Sequence, residues 1–177
     1  HQVAAVIMEP VGLEPPREQF LEQVRDLTHR EGAVLIFDEV LTGFRVALGG
    51  AQAYFGVTPD LACFGKAMAN GYPLSAVVGR REIMEAFEEI FFSFTFGGEA
   101  LSLAAAMATT DMMIRHHVVE HLWTVGRQLQ EGCQRLIEES GLSAHLRCGG
   151  YPPRHAFRFC DEQGQESLAL KTLFLQE

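Results

Sequence analysis

Val3–Met8 and Val34–Phe37 are uninterrupted apolar runs, and between them Phe20, Leu21, Val24, Leu27 and Thr28 recur at helical spacing. A short unbroken apolar run bounded by turn residues reads as a buried strand. A 3.6-residue apolar period reads as a helix resting on a core. Pro15 and Pro16 stand where such a helix begins, and Gly32 closes it. Strand, helix and strand joined by short links form a parallel crossover, which commits the chain to an α/β fold.

The rest of the chain extends this plan. Leu61–Phe64 is a third short strand and Ser75–Val78 a fourth. The link between them, carrying Gly71-Tyr72-Pro73, is too short for a helical crossover, so the fourth strand is expected to run antiparallel. A short helix is predicted near Ala51–Phe55. A small-residue helix follows over Glu99–His116, then an amphipathic one with Val118, Leu122, Val125, Leu129 and Leu136 on its stripe, ending at Gly141. Beyond it, strands are expected at Ala144–Cys148 and His155–Cys160. We read residues 1–141 as the later half of a large domain and 142–177 as the start of an α+β small domain. The abrupt apolar opening and the uncapped SLALKTLFLQE ending give the expectation of a piece of a longer chain.

Charge narrows the class of partner. Fourteen Lys and Arg stand against 23 Asp and Glu, a formal charge of −9. Nucleic acids and anionic membrane surfaces are bound by basic faces, so neither is expected as a partner. No apolar stretch is long enough to span a bilayer: Leu101–Ile114 is short and contains Asp111. Four cysteines without CxxC spacing, and no secretory leader, fit reduced thiols in the cytoplasm.

Parallel α/β sheets bind ligands beyond the carboxyl ends of their strands. Glu9, the pair Asp38-Glu39 and Lys66 all fall at such ends. Two chemistries use this set. In nucleotide triphosphatases an apolar run ending in Asp-Glu holds magnesium, but they need a G-x-x-x-x-G-K-[ST] loop. Here Asp60 and Ala67 occupy two of that loop's fixed positions. The other chemistry takes Lys66, walled by Phe64, Ala67 and Met68, as a desolvated amine able to form a Schiff base. Pyridoxal phosphate needs such a lysine and a carboxylate for its ring nitrogen. A plain solvated loop lysine is the competing reading.

Three longer segments bear on that choice. FDEVLTGFR, GVTPDLACFGKAMANGYPLSAVVG and FTFGGEALSLAAA together resemble the class III aminotransferases, pyridoxal-phosphate enzymes of fold type I. The likeness covers residues 3–115 and continues more loosely to the end. It is strongest to the branch of glutamate-1-semialdehyde 2,1-aminomutase, which shares the Asp-Glu-Val-x-Thr-Gly-Phe-Arg string and the interval of 28 from Asp38 to Lys66.

The resemblance implies part of a large domain with a mostly parallel sheet and flanking helices, and the start of a small one. It implies pyridoxal 5'-phosphate as cofactor and transfer of an amino group between an amine donor and a carbonyl acceptor. Asp38 would pair with the ring nitrogen, Val40 would pack on one ring face, and Lys66 would form the Schiff base and move the α-proton. Thr95 would bind the phosphate of the neighbouring subunit in a homodimer. Glu39 is expected to be structural, bonded to Arg45 or a loop amide. The family also supplies a phosphate loop and a ring-stacking aromatic from residues upstream of His1.

Several positions depart from the aminomutase branch. Gly97-Gly98-Glu99 stands where that branch has Gly-Asn-Pro, Ala69-Asn70-Gly71-Tyr72 replaces a glycine-rich turn, and the segment after Glu9-Pro10 is shortened. These changes favour an aminotransferase, with intramolecular amino migration as the alternative activity and a non-catalytic assembly module as the alternative class.

Other polar groups carry less. His116, His117 and His121 lack a third placed ligand and read as solvated, so no metal is expected. Arg147, Arg154 and Arg158 could hold a carboxylate or lie on a plain surface. Phe91, Phe92, Phe94 and Phe96 are expected in the core or at a dimer interface.

Overall fold

Strand β1 (Ala5–Met8), helix α1 (Phe20–Arg30) and strand β2 (Val34–Asp38) form the expected crossover in a computed structural model that describes residues 3–177. β1 and β2 run parallel, with Ala5 opposite Val34 and Met8 opposite Phe37. α1 begins at Phe20 rather than at the prolines, because Gln19 takes a left-handed φ of 61° and turns the chain first. After the short helix α2 (Gly50–Phe55), strand β3 (Leu61–Phe64) joins β2 in parallel. Strand β4 (Ala76–Gly79) then pairs antiparallel with β3, as its short link predicted. The sheet order is β1-β2-β3-β4.

Alternation along these strands assigns residues to faces. Val6, Met8, Leu35 and Phe37 share one face, and Leu21, Val24, Phe55 and Val57 pack on it. Each of the fully buried members, Leu21, Leu35, Phe37 and Val57, contributes about 2 kcal/mol through water exclusion. The other face carries Ile7, Ile36, Asp38 and Cys63 and is far more open, with Ile7 63% exposed. The expectation of a buried first strand is therefore corrected. Unbroken apolar runs anticipate cover on both faces, but among the described residues β1 is an edge strand covered on one.

The amino end of β3 is held by Asp60. Its carboxylate accepts the Leu35 amide of β2 at 2.8 Å, faces Arg80 at 3.1 Å, and lies 3.2 Å from His29 of α1. One buried side chain thus joins a helix, two strands and the start of the next helix, α3 (Arg81–Met84). Helix α4 (Ala100–Arg115) follows the phenylalanine-rich segment.

The contacts divide the chain into two units. One contains the chain up to Gly12 and Pro16–Val119, the other Leu13–Pro15 and Glu120–Glu177. Helix α5 (Val118–Glu139) thus groups from Glu120 with the hairpin it packs on, whereas the sequence pattern set the division after Gly141. That hairpin pairs β5 (Leu146–Tyr151) and β6 (Arg154–Phe159) antiparallel, and α6 (Leu168–Gln176) follows. Phe174 of α6 lies against Phe157 and Phe159, at ring separations of 5.9 and 5.2 Å.

The face that α5 turns inward differs from the expected one. Trp123 meets Tyr151 edge-on, Gly126 lies against Pro152, Gln130 donates to the Gly150 carbonyl, and Ile137 is buried. Val125, Leu129 and Leu136, on the predicted stripe, are exposed. Gly126 explains the choice: a Cβ there would lie 2.0 Å from the Pro152 carbonyl oxygen, so only a glycine face permits this approach. Among the described residues no helix is long and apolar enough to cross a membrane.

Candidate functional site

The site lies in the first unit, beyond the carboxyl ends of β2 and β3. Asp38 closes β2 on its open face, directly opposite Cys63. One Asp38 oxygen, Oδ1, accepts the Val40 amide at 3.0 Å, which turns the chain immediately after the strand. The neighbouring Cys63 thiol is pushed up, first by burial and then by the Asp38 charge beside it.

Lys66 stands two residues beyond the end of β3, at the head of a single 3-10 turn, Lys66–Met68. Its backbone is strained, with a φ of 42°. A non-glycine residue in this region costs about 1–2 kcal/mol and is held there by its surroundings. The surroundings are visible: the Met68 amide bonds the Gly65 carbonyl, the Asn70 amide bonds the Lys66 carbonyl, and α4 packs on the turn. The lysine side chain is exposed and makes no hydrogen bond or ion pair among the described residues. This corrects the expectation of a desolvated amine, since Phe64, Ala67 and Met68 flank the turn without covering the side chain. The turn is also too short to be the helix that a phosphate-cradling P-loop must open.

Val40 lies between the two strand ends. A Cβ on Gly65 would come 3.6 Å from Val40 Cγ1, so the two loops touch here. Val40, Cys63, Phe64 and Val77 also form part of the wall of a cavity of about 510 Å³. Phe87, Phe92 and Phe94 complete its far side. These rings pair edge-on, with Phe92 5.0 Å from Phe87 and 5.4 Å from Phe94. The core half of the expectation for the phenylalanines is overturned: Phe91, Phe92, Phe94 and Phe96 are exposed, Phe91 by 96%, because none of the described residues covers their outer side.

Glu39 turns the opposite way from Asp38 and is fully buried. Its carboxylate accepts the Thr42 hydroxyl and the Ala51 and Gln52 amides at the start of α2, both at 2.8 Å. The expected structural role with a backbone-amide bond is present, although the amides are those that open α2 rather than the loop's own. Adjacent carboxylates thus diverge: Glu39 locks the following loop, and Asp38 is left at the site.

Thr95 is exposed, in the turn before α4, with no polar contact to Asp38 or Lys66 among the described residues. Sequence reasoning missed the role of Glu99, reading it only as a departure from a family pattern. Its side chain caps α4 by accepting the Leu101 and Ser102 amides and the Ser102 hydroxyl. The Ser102 hydroxyl bond, then the two amides, hold its carboxyl below the usual range. An acidic residue directly before a small-residue helix was the available signal.

The donor set fits pyridoxal phosphate. Asp38 presents a carboxylate with one oxygen engaged, and Lys66 presents a primary amine from the adjacent strand end. Val40 offers an apolar contact between them.

Comparison with known proteins bears on the same residues. The chain matches the family profile described as Aminotransferase class-III over residues 1–151. It is 44% identical over 153 residues to a glutamate-1-semialdehyde 2,1-aminomutase of Thermomicrobium roseum, covering 82% of this chain and 36% of that one. It is 37% identical over 169 residues to a 3-aminobutyryl-CoA aminotransferase of Cloacimonas acidaminovorans, covering 92% and 41%. The FumI protein of Sphingopyxis sp. MTA144, solved in its PLP internal aldimine form, superposes with a TM-score of 0.83 at 31% identity, over 90% of this chain and 40% of that one. The chain thus spans about two fifths of the length of the relatives it matches. A crossover sheet with Asp38 and Lys66 at adjacent strand ends and a family match over most of its length lead to one conclusion: this chain belongs to the class III aminotransferases.

Proposed function

We propose that the protein transfers an amino group between an amine donor and a carbonyl acceptor, with pyridoxal 5'-phosphate held by Asp38, Lys66, Val40 and Thr95. The observation that carries this reading is the juxtaposition of Asp38 and Lys66 at the ends of adjacent parallel strands. When bound, the cofactor supplies an electron-withdrawing ring that lowers the barrier to deprotonating the substrate's α-carbon. Asp38 would hold the cofactor's ring nitrogen with its carboxylate and favour the protonated ring. Its orientation is set by the Val40 amide. Val40 would offer the ring an apolar contact and exclude water from one side. Lys66 would hold the cofactor through its primary amine, and Nζ would take and return the substrate's α-proton.

Thr95 acts with a neighbouring copy of the chain, binding phosphate through its hydroxyl in a homodimer; its exposure leaves it accessible to such a copy. In this reading residues 1–141 belong to a cofactor-binding large domain and 142–177 open the small domain. Four cysteines without a disulfide support a cytoplasmic setting. The similarity to an aminomutase supports a second reading, amino migration within one molecule by the same residues.

The test is an absorbance spectrum after adding pyridoxal phosphate and removing the excess, with borohydride trapping and peptide mapping. A retained near-visible band and a trapped adduct on Lys66, both absent in Lys66→Ala, are expected. A band that survives Lys66→Ala, or an adduct on Lys171, overturns the assignment. Amine donors that bleach the band then separate transamination from migration, because migration releases no keto product.

A further inference from the structure

The packing of α5 on β5 brings two cysteines together. Along the inward face of the helix, Gly126 lies against Pro152 and Gln130 Nε2 donates to the Gly150 carbonyl at 2.9 Å. One helical step further lies Cys133, and one strand step back lies Cys148. Helix steps of three to four residues advance about 4.5–6 Å and strand steps of two about 6.6 Å. The two series run the same way along the packed face, which brings Cys133 toward Cys148. Burial, and then the Cys133 thiol beside it, push the Cys148 thiol up. Both are half-buried rather than sealed. Cys148 also borders an open cavity of about 460 Å³ with Gln130, Gln134 and Gly149, which gives a small reagent access.

We propose that Cys133 and Cys148 form a dithiol site for a soft, thiophilic centre of the trivalent-arsenic or copper(I) kind. Thiolate ligands select soft centres. Among the described residues no group of three or more His, Cys, Asp and Glu could hold a metal. The pair thus offers two sulfurs and no more, which is too few for a structural zinc ion. Two sulfurs on adjoining elements can both bond one centre. With an arylarsine oxide, two S–H bonds break and two S–As bonds form. Arsenic stays trivalent, and the two protons leave with the oxide oxygen as water. The product clamps α5 to β5. It lies outside the amino-transfer site and does not depend on that reading.

The experiment uses the reduced full chain with one equivalent of phenylarsine oxide in excess 2-mercaptoethanol, followed by thiol counting in denaturant, intact mass and peptide mapping. The four free cysteines should fall to two, with Cys133 and Cys148 protected and both released by ethanedithiol. Cys133→Ser and Cys148→Ser should each weaken capture by about a hundredfold or more, because the second sulfur supplies a high effective concentration. Cys133→Ala and Cys148→Ala serve if a serine variant loses its native circular dichroism. Capture retained within about tenfold in the single variants overturns the proposal. So does protection of Cys63 or Cys160, or no stoichiometric capture by the native protein.

Discussion

Glu39 fills the space that a side chain at Gly50 would need. A Cβ on Gly50 would lie 2.5 Å from Glu39 Oε2, and Gly50 has a φ of 78°. The carboxylate and the bare glycine are two halves of one corner, where the loop after Asp38 enters α2.

Gly50→Ala should therefore destabilise the first unit by at least about 2 kcal/mol, from left-handed backbone strain plus the clash. Glu39→Ala should cost about 3 kcal/mol, because buried amides of Ala51 and Gln52 lose their acceptor. Urea denaturation checks both. A Glu39→Ala protein within about 0.5 kcal/mol of the parent would show that the corner repacks.

Lys66 should be a position where function opposes stability. Its φ of 42° suits glycine, so Lys66→Gly relieves strain while adding chain entropy to the unfolded state. The expected balance is a protein as stable as the parent or up to about 1 kcal/mol more so, yet unable to be trapped with pyridoxal phosphate. Paired melts and borohydride trapping read the two effects separately.

Asp60 predicts acid sensitivity. Burial alone raises its carboxyl, but the Leu35 amide, Arg80 and His29 outweigh burial and hold it below its ordinary value of 3.8. A carboxyl depressed in the folded state contributes stability that is present above the unfolded value and lost as pH falls through the folded one. The loss should therefore develop below pH 3.8. Asp60→Asn should cost about 3 kcal/mol at neutral pH and flatten this acid limb. Denaturation at a series of pH values measures both, and an unchanged acid limb in Asp60→Asn would discount Asp60 as its source.

Gly126→Ala tests the packing of α5. Helix propensity alone predicts a gain of about 1 kcal/mol. The Pro152 carbonyl oxygen, 2.0 Å from the new Cβ, is backbone and cannot swing aside. The net effect should be a loss of about 2 kcal/mol or more. A thermal midpoint at or above the parent's would mean that α5 lifts off the hairpin at little cost.

Much of this molecule was legible in its residues. Unbroken apolar runs located β1, β2 and β3, because each strand packs at least one face against the core. The short link to Ala76 dictated an antiparallel β4, because chain length alone forbids a crossover. The strand ends singled out Asp38 and Lys66 for the same kind of reason: each follows directly from local sequence.

What the sequence left open depended on partners far along the chain. Asp60 reads as an ordinary turn residue until folding brings His29 and Arg80 to it. The apolar stripe of α5 named Val125, Leu129 and Leu136, yet backbone proximity at Gly126 turned another face inward. Asp38 and Glu39 are neighbours of like charge, and the Thr42 hydroxyl and the α2 amides of Ala51 and Gln52 draw one into the interior and leave the other at the candidate site. Local pattern determines which elements form, because burial and chain length act on consecutive residues. Tertiary structure decides which face and which carboxylate are used, because close approach and hydrogen-bond partners come from residues distant in sequence.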